Sequence, residues 1–163
     1  MLLRSIVTIA MAAGMTFGAT TASAQQMTQP YGSPIAGDAA KKIASTALAE
    51  ARKNNWRMAV AVVDPSGELV YFEKVDGTQI ASNDIAIDKA RSSVRFKRPT
   101  KAFQDALTKG GVEMRYLGLR GVTPAEGGVP IVMGGAIVGA IGVSGGTGAQ
   151  DEQCAEAGVA GLK

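Results

Sequence analysis

Two side chains in this sequence could perform acid–base chemistry, and one of them stands beside a pair of glycines. Lys89 could act as a base or as a Schiff-base amine, and Glu126 could donate or accept a proton. Glu126 is followed directly by Gly127 and Gly128, whose backbone N–H groups could bind a developing oxyanion. With an arginine to clamp a carboxylate, this set would suffice for an enzyme acting on a small organic acid.

The chain contains no histidine among its 163 residues. Ser-His-Asp and Cys-His mechanisms are therefore excluded, and the commonest metal ligand is missing. Cys154 is the only cysteine, so no intrachain disulfide can form. Because a lone cysteine is most often a small core residue, we expect Cys154 to be buried.

The surroundings of Lys89 favour an ordinary interpretation of its charge. It falls in a predicted helix from Ser82 to about Phe96, close to Asp84 and Asp88, with Ser82 as the expected N-cap. On this pattern alone, Lys89 is expected on a solvated helix face with a weak ion pair. The basic run 95–98 at the end of this helix is expected to be a solvated cluster that could also bind carboxylates.

A glycine-rich hairpin organises the C-terminal part of the chain. Gly134-Gly135 separates two apolar runs, as in a tight two-residue turn. The second run alternates, and one of its faces is nearly free of side chains, so a helix, a subunit or a flat ligand could approach its backbone. We favour close helix-on-sheet packing. The two predicted faces are Ile137, Gly139, Ile141 and Val143 against Val138, Ala140, Gly142 and Ser144.

Periodicity predicts the remaining elements. The strand at 56–63 is apolar on both sides, which indicates a central strand covered on both faces. A turn at 64–67 leads it into a returning strand. The other predictions are helices at 35–54, 101–109 and 149–162, the returning strand at 69–74, and a loop at 112–126 with a short strand near 121–123.

The first 24 residues have the pattern of a secretory signal peptide. Arg4 precedes a short apolar run, and Ala22-Ser23-Ala24 fits the small-residue cleavage rule. We therefore expect cleavage after Ala24, a periplasmic or secreted protein, a flexible arm at 25–34 and one domain at 35–163. The net charge of +3 is too small to indicate nucleic-acid binding, and no later segment is apolar enough to span a membrane.

Several short segments together resemble the GlcG/HbpS-like haem-binding family, which includes the C-terminal domain of some corrinoid adenosyltransferases. The resemblance extends over nearly all of the chain after residue 24. The segments are Ala59–Gly67, Asp88–Arg91, Phe96–Thr100, Gly127–Ile131, Val138–Gly145 and Asp151–Ala155.

This resemblance implies an α+β, profilin-like domain with an antiparallel sheet of about five strands, assembled into homo-oligomers. It also implies binding of haem or a related tetrapyrrole, for sequestration or slow degradation. In a chain without histidine, the iron ligand would have to be a weak oxygen ligand or one of a few tyrosine, methionine and cysteine side chains, and Tyr116 between Arg115 and Arg120 is the best local candidate. The candidates are Tyr71, Tyr116, Met58, Met114, Met133 and Cys154. The ring system is expected in a cleft near the glycine-rich hairpin, with Gly127 and Gly128, and the helix at 82–96. Candidates for the haem propionates are Lys89, Arg95, Arg98, Arg115 and Arg120. A non-catalytic assembly protein is the remaining alternative.

Overall fold

The computed structural model describes residues 29–162, so the predicted signal peptide lies outside the described residues. Helices and strands follow one another in an order typical of an α+β protein. They are α1 (Gly37–Lys53), β1 (Ala59–Val63), β2 (Leu69–Lys74), α2 (Ser82–Phe96), α3 (Lys101–Lys109), a 3-10 helix (Gly111–Gly118), β3 (Gly128–Met133), β4 (Ala136–Ser144) and α4 (Gly148–Ala160).

The strands form an antiparallel sheet in the order β2-β1-β4-β3. The α+β antiparallel fold expected from the sequence is thus confirmed, with four strands within residues 29–162 rather than about five. The β3–β4 connection is the predicted glycine turn, in which Gly134 and Gly135 have φ of 55° and 79°. Positive φ at both central residues matches the right-handed twist of the flanking strands.

Helices cover both faces of the sheet. On one face, α1 and α4 pack over the core formed by Val60, Val62, Ile141 and Val143. On the other face, α2 packs against the alanines of β1 and the small residues of β4. A Cβ atom at Gly142 would lie 2.6 Å from the Ala90 nitrogen and closer still to the Ala86 carbonyl oxygen. The small face of β4 therefore serves close helix packing, as expected.

A β-bulge changes the predicted faces of β4 at its start. Ile131 pairs with Gly139 and Val132 pairs with Ile137, so Val138 is skipped in the ladder. The extra residue reverses the alternation before Gly139. As a result, Ile137 packs on the α2 side with Ala140, whereas Val138 joins the opposite core. The prediction that Ile137 shares a face with Ile141 was wrong for this reason.

Local corrections concern helix ends and one connection. Ser82 is not the N-cap of α2, because the cap residue is Ala81 and the Ser82 hydroxyl is buried against Ser144 at 3.2 Å. At the start of α4, Thr147 and Gln150 form a capping box, which was not among the predicted helix ends. The predicted short strand at 121–123 is absent from residues 112–126, which instead begin with the 3-10 helix.

The described part of the predicted arm, residues 29–34, runs beside the sheet. The Gly32 N–H donates to the Ile137 carbonyl at 2.9 Å, and Tyr31 forms an isolated parallel bridge with Ile137. The Tyr31 hydroxyl donates to the Val94 carbonyl at 2.9 Å. Among residues 29–162, no helix combines the length and hydropathy needed to cross a membrane.

Candidate functional site

Lys89 is buried in an ion pair rather than solvated. Its ammonium donates to Asp151 Oδ2 at 2.6 Å and to the Val143 carbonyl at 3.0 Å, and only 2% of the residue is exposed. Burial raises the pKa of the Asp151 carboxyl above its ordinary value, although the Lys89 ammonium and the backbone N–H groups of Gly145 and Gly146 oppose this effect. The expectation of a solvated face was wrong, because α4 brings Asp151 onto α2.

The same region holds Glu126, Gly127 and Gly128. Lys101 at the start of α3 donates to Glu126 Oε1 at 2.6 Å. The Gly127 N–H donates to Glu152 Oε2 at 2.6 Å, and the Gly128 N–H donates to Thr100 Oγ1 at 2.9 Å. Both N–H groups that could bind an oxyanion thus have protein acceptors.

These contacts already engage the groups that the acid–base alternative would use. A Schiff-base lysine must present a neutral amine to the substrate, and Lys89 is closed off by Asp151 and the β4 backbone. The Glu126 carboxylate is already paired with Lys101. The structure therefore brings the sequence-predicted residues together, but as a stabilising junction between α2, α4 and β3.

Two adjoining cavities lie between α3 and α4. The larger, of about 490 Å³, is lined by Lys101, Glu126, Ala149, Glu152, Gln153 and Glu156. The smaller, of about 280 Å³, adds Arg98, Pro99, Ala102 and Asp105 to the shared residues. Burial raises the pKa of Glu152, and the carboxylates of Glu156 and Glu126 act in the same direction. Lys101 and Glu152 were missed as candidates, although Glu152 falls in one of the segments that showed the resemblance.

An aromatic cluster lies on the other side of α3. The ring of Phe103 meets those of Phe96 and Tyr116 edge-on, with centroids 5.3 and 5.2 Å away. The guanidinium of Arg98 lies 5.4 Å from the Phe103 centroid, and that of Arg115 lies 5.3 Å from the Tyr116 centroid. The nearby Tyr116 side chain raises the pKa of Arg115, and Glu113 adds a smaller effect in the same direction.

The 3-10 helix and Leu119, which directly follows it, expose an unusual amount of apolar side chain. The exposed fractions are 71% for Val112, 46% for Met114, 61% for Leu117 and 45% for Leu119. We call these four residues the 3-10 surface. They surround the half-buried Tyr116 in sequence, so the predicted iron ligand lies on the same short helix as this apolar area.

The remaining candidate arginines are distributed more widely. Arg120 is exposed just after the 3-10 helix. Arg95 lies near the β1–β2 turn, where its Nε would be 3.0 Å from a Cβ at Gly67, and 4.0 Å separates its Nη1 from a Cβ at Gly121. Arg95 and Arg98 therefore leave the predicted basic run in different directions. Of the two, Arg98 is the one that contacts the aromatic cluster.

Two other conceivable iron ligands, Cys154 and Met58, are inaccessible. Cys154 is fully buried, and burial raises the pKa of its thiol to about 12. A thiol in that state is neither a nucleophile nor a metal ligand near neutral pH. Met58 is fully buried in the core. Within residues 29–162, no group of three or more acidic or cysteine side chains is placed to hold a metal ion.

Comparisons with known proteins agree with this fold. Residues 35–160 match the family model described as haem degrading protein HbpS-like. Protein GlcG of Escherichia coli K12 is 39% identical over 105 residues, which cover 64% of this chain and 77% of GlcG.

Two crystal structures are also similar. A double mutant of Streptomyces reticuli HbpS superposes with a TM-score of 0.74 at 28% identity, covering 98% of this chain and 99% of the other. The ORFY protein of Klebsiella pneumoniae superposes with a TM-score of 0.76 at 26% identity, covering 83% and 94%.

Proposed function

Because the chain belongs to the family described as haem degrading protein HbpS-like, we propose that it binds haem or a related tetrapyrrole. The 3-10 surface supports a location for this ligand, because four apolar side chains are exposed there close to Tyr116 and Arg115. A tetrapyrrole needs an apolar surface for its ring and cations for its carboxylates. This part of the protein offers both.

The residues present fit such a group. The Tyr116 oxygen would be the iron ligand, as a phenolate is in some haem proteins, and the Arg115 guanidinium beside it would stabilise the negative oxygen. Arg98 and Arg120 would meet the propionates as bidentate donors. Bound haem supplies redox and oxygen chemistry, while these side chains hold and orient it.

Replacing the proposed iron ligand tests this placement. We expect Tyr116→Phe to shift the Soret band of the haem complex and to weaken haem binding about ten-fold or more, since even indirect support of a metal ligand is worth that much. The measurement is a haem titration of tag-free protein, because a histidine tag would supply a ligand that the chain lacks. Tyr71→Phe is the matched control, as Tyr71 hydrogen-bonds Glu73 on β2 at 3.0 Å. Identical spectra for Tyr116→Phe and wild type would contradict the placement.

We also propose that the protein is exported and loses residues 1–24. The support is the charged, apolar and small-residue pattern that ends at Ala24. Expressed in a bacterium with its leader, the protein should appear in the periplasmic fraction, and N-terminal sequencing should begin at Gln25. Recovery of an unprocessed chain from the cytoplasm would contradict this proposal.

Assembly into a homo-oligomer is the third part of the proposal. Its support is the resemblance together with apolar side chains exposed away from the 3-10 surface, such as Leu69 on the edge strand β2. A contact between copies would cover such side chains. Light scattering after size exclusion should give a mass that is a multiple of that of one chain, and a strictly monomeric mass would contradict it.

A further inference from the structure

A separate cavity lies where α1 ends and β1 approaches. It has a volume of about 280 Å³ and is lined by Arg52, Asn55, Trp56, Arg57 and Val75. It shares no residue with the 3-10 surface or with the cavities between α3 and α4. The size is near the lower end for small-molecule pockets, so its occupant would be about one ring in size.

The cavity carries two guanidinium groups with spare donors. Arg52 uses one nitrogen in an ion pair with Glu73 at 3.3 Å, and its side chain remains 56% exposed. Among the residues that the structure describes, Arg57 forms no ion pair with an acidic side chain. Each guanidinium has five N–H donors in a planar fork that matches a carboxylate.

The carbonyl groups at the end of α1 have hydrogen-bond donors other than the two guanidinium groups. The carbonyls of its last turn already accept N–H groups: Ala51 from Trp56 at 2.9 Å and Arg52 from Asn55 at 3.1 Å. The Asn54 side-chain amide donates to the Glu50 carbonyl at 2.9 Å. Because these carbonyls already have other donors, they do not need the guanidinium groups of Arg52 and Arg57 as hydrogen-bond partners.

The cavity also has an apolar, flat component. Trp56, the only tryptophan, packs against the main core together with Val75 while both line the cavity. The backbone of Asn55, with φ of 58°, and the Trp56–Ala51 hydrogen bond fix the turn that presents them. The aromatic wall is therefore held in place before any ligand arrives.

From these contacts we infer that this cavity binds a small planar carboxylate. The carboxylate would be held by Arg57 and Arg52, and the ring would pack on Trp56 and Val75. Glu73 is the acidic neighbour with which the ligand would share Arg52. This inference does not depend on the haem proposal, because the two sites have no residue in common.

The single tryptophan gives a direct readout. Titrating the full-length protein with benzoate should quench Trp56 fluorescence to saturation. Benzamide, which has the ring without the charge, and inorganic phosphate, which has charge without the ring, should each bind at least ten-fold more weakly. Saturable quenching by benzoate alone supports the inference, whereas equal binding of either other probe overturns it.

Substitutions at Arg57 test whether benzoate binds in this cavity. Arg57→Ala should weaken benzoate at least ten-fold, and Arg57→Gln, which keeps length and polarity, should weaken it similarly. Lys109→Ala, at the exposed end of α3, removes one positive charge elsewhere and should leave benzoate affinity unchanged. Haem titrations of Arg57→Ala should match wild type. Unchanged benzoate binding in both Arg57 variants, or the absence of saturable quenching in wild type, would overturn the inference.

Discussion

Lys89→Met is expected to be among the most damaging single substitutions in this protein. It removes one partner of an ion pair in which both side chains are almost fully buried, so Asp151 would keep a buried charge without its counter-ion. Breaking such a pair from one side typically costs about 3–5 kcal/mol of unfolding free energy. We expect a loss of this size in urea unfolding at pH 7, followed by circular dichroism.

The loss should be smaller at acid pH. Without Lys89, the folded-state pKa of Asp151 rises further above its unfolded value, so the folded variant binds a proton that the unfolded chain releases. The stability of the variant therefore falls as pH rises between the unfolded-state and folded-state pKa values of Asp151. Relative to wild type, it improves as pH falls through the same window. A Lys89→Met deficit that is the same at pH 5 and pH 7 would contradict this origin.

Two further variants separate charge from packing. Lys89→Met combined with Asp151→Asn removes both charges and keeps an oxygen for the Gly146 N–H, which now donates to Asp151 at 2.9 Å. This double variant should be more stable than Lys89→Met alone, because no buried charge remains. Lys53→Met breaks an exposed pair with Glu50 and should leave the unfolding midpoint unchanged.

Gly142→Ala is the second large expected effect. The added Cβ would overlap the Ala86 carbonyl oxygen and lie 2.6 Å from the Ala90 nitrogen, and both belong to the backbone of α2. Overpacking a core commonly costs about 1–3 kcal/mol, and here a whole helix must move, so we expect a loss above about 3 kcal/mol or failure to accumulate as folded protein. Thermal unfolding and soluble yield measure it.

Gly37→Ala is the matched control for that substitution. Gly37 is the first residue of α1, and a Cβ there would meet nothing within 4 Å. Since alanine is the better helix former, this change should be neutral or slightly stabilising. A Gly142→Ala protein that unfolds at the same temperature as Gly37→Ala would show that α2 does not pack on β4 as closely as described.

Local sequence patterns were enough to predict most of the elements. The bounds of α2 and α3, the hairpin of β1 and β2 and the glycine turn agree with the structure, because each depends on periodicity and turn chemistry within a few residues. The covered, double-sided character of β1 also followed from its own residues, which are all buried. The small face of β4 indicated close packing correctly, since its cause is side-chain size.

Long-range pairings could not be predicted in this way. Lys89 and Asp151 are 62 residues apart, and which turn of α2 meets α4 depends on how both pack on the sheet. The same holds for Lys101 and Glu126, which are 25 residues apart. The bulge at Val138 could not be predicted either, because the sequence alternates without interruption at this point. Only the pairing with β3 shows that Val138 is skipped. From the sequence, Lys89 was therefore expected to be more solvated than it is. Lys89 and Glu126 were both expected to be more available for chemistry than the structure shows.

Haem titration of the tag-free chain from residue 25 to residue 163 tests the central proposal most directly. Haem binding predicts a saturable Soret shift near one haem per chain, which moves when Tyr116 is replaced by phenylalanine but not when Tyr71 is. A titration in which absorbance rises only as for free haem, without saturation, would contradict haem binding by this protein.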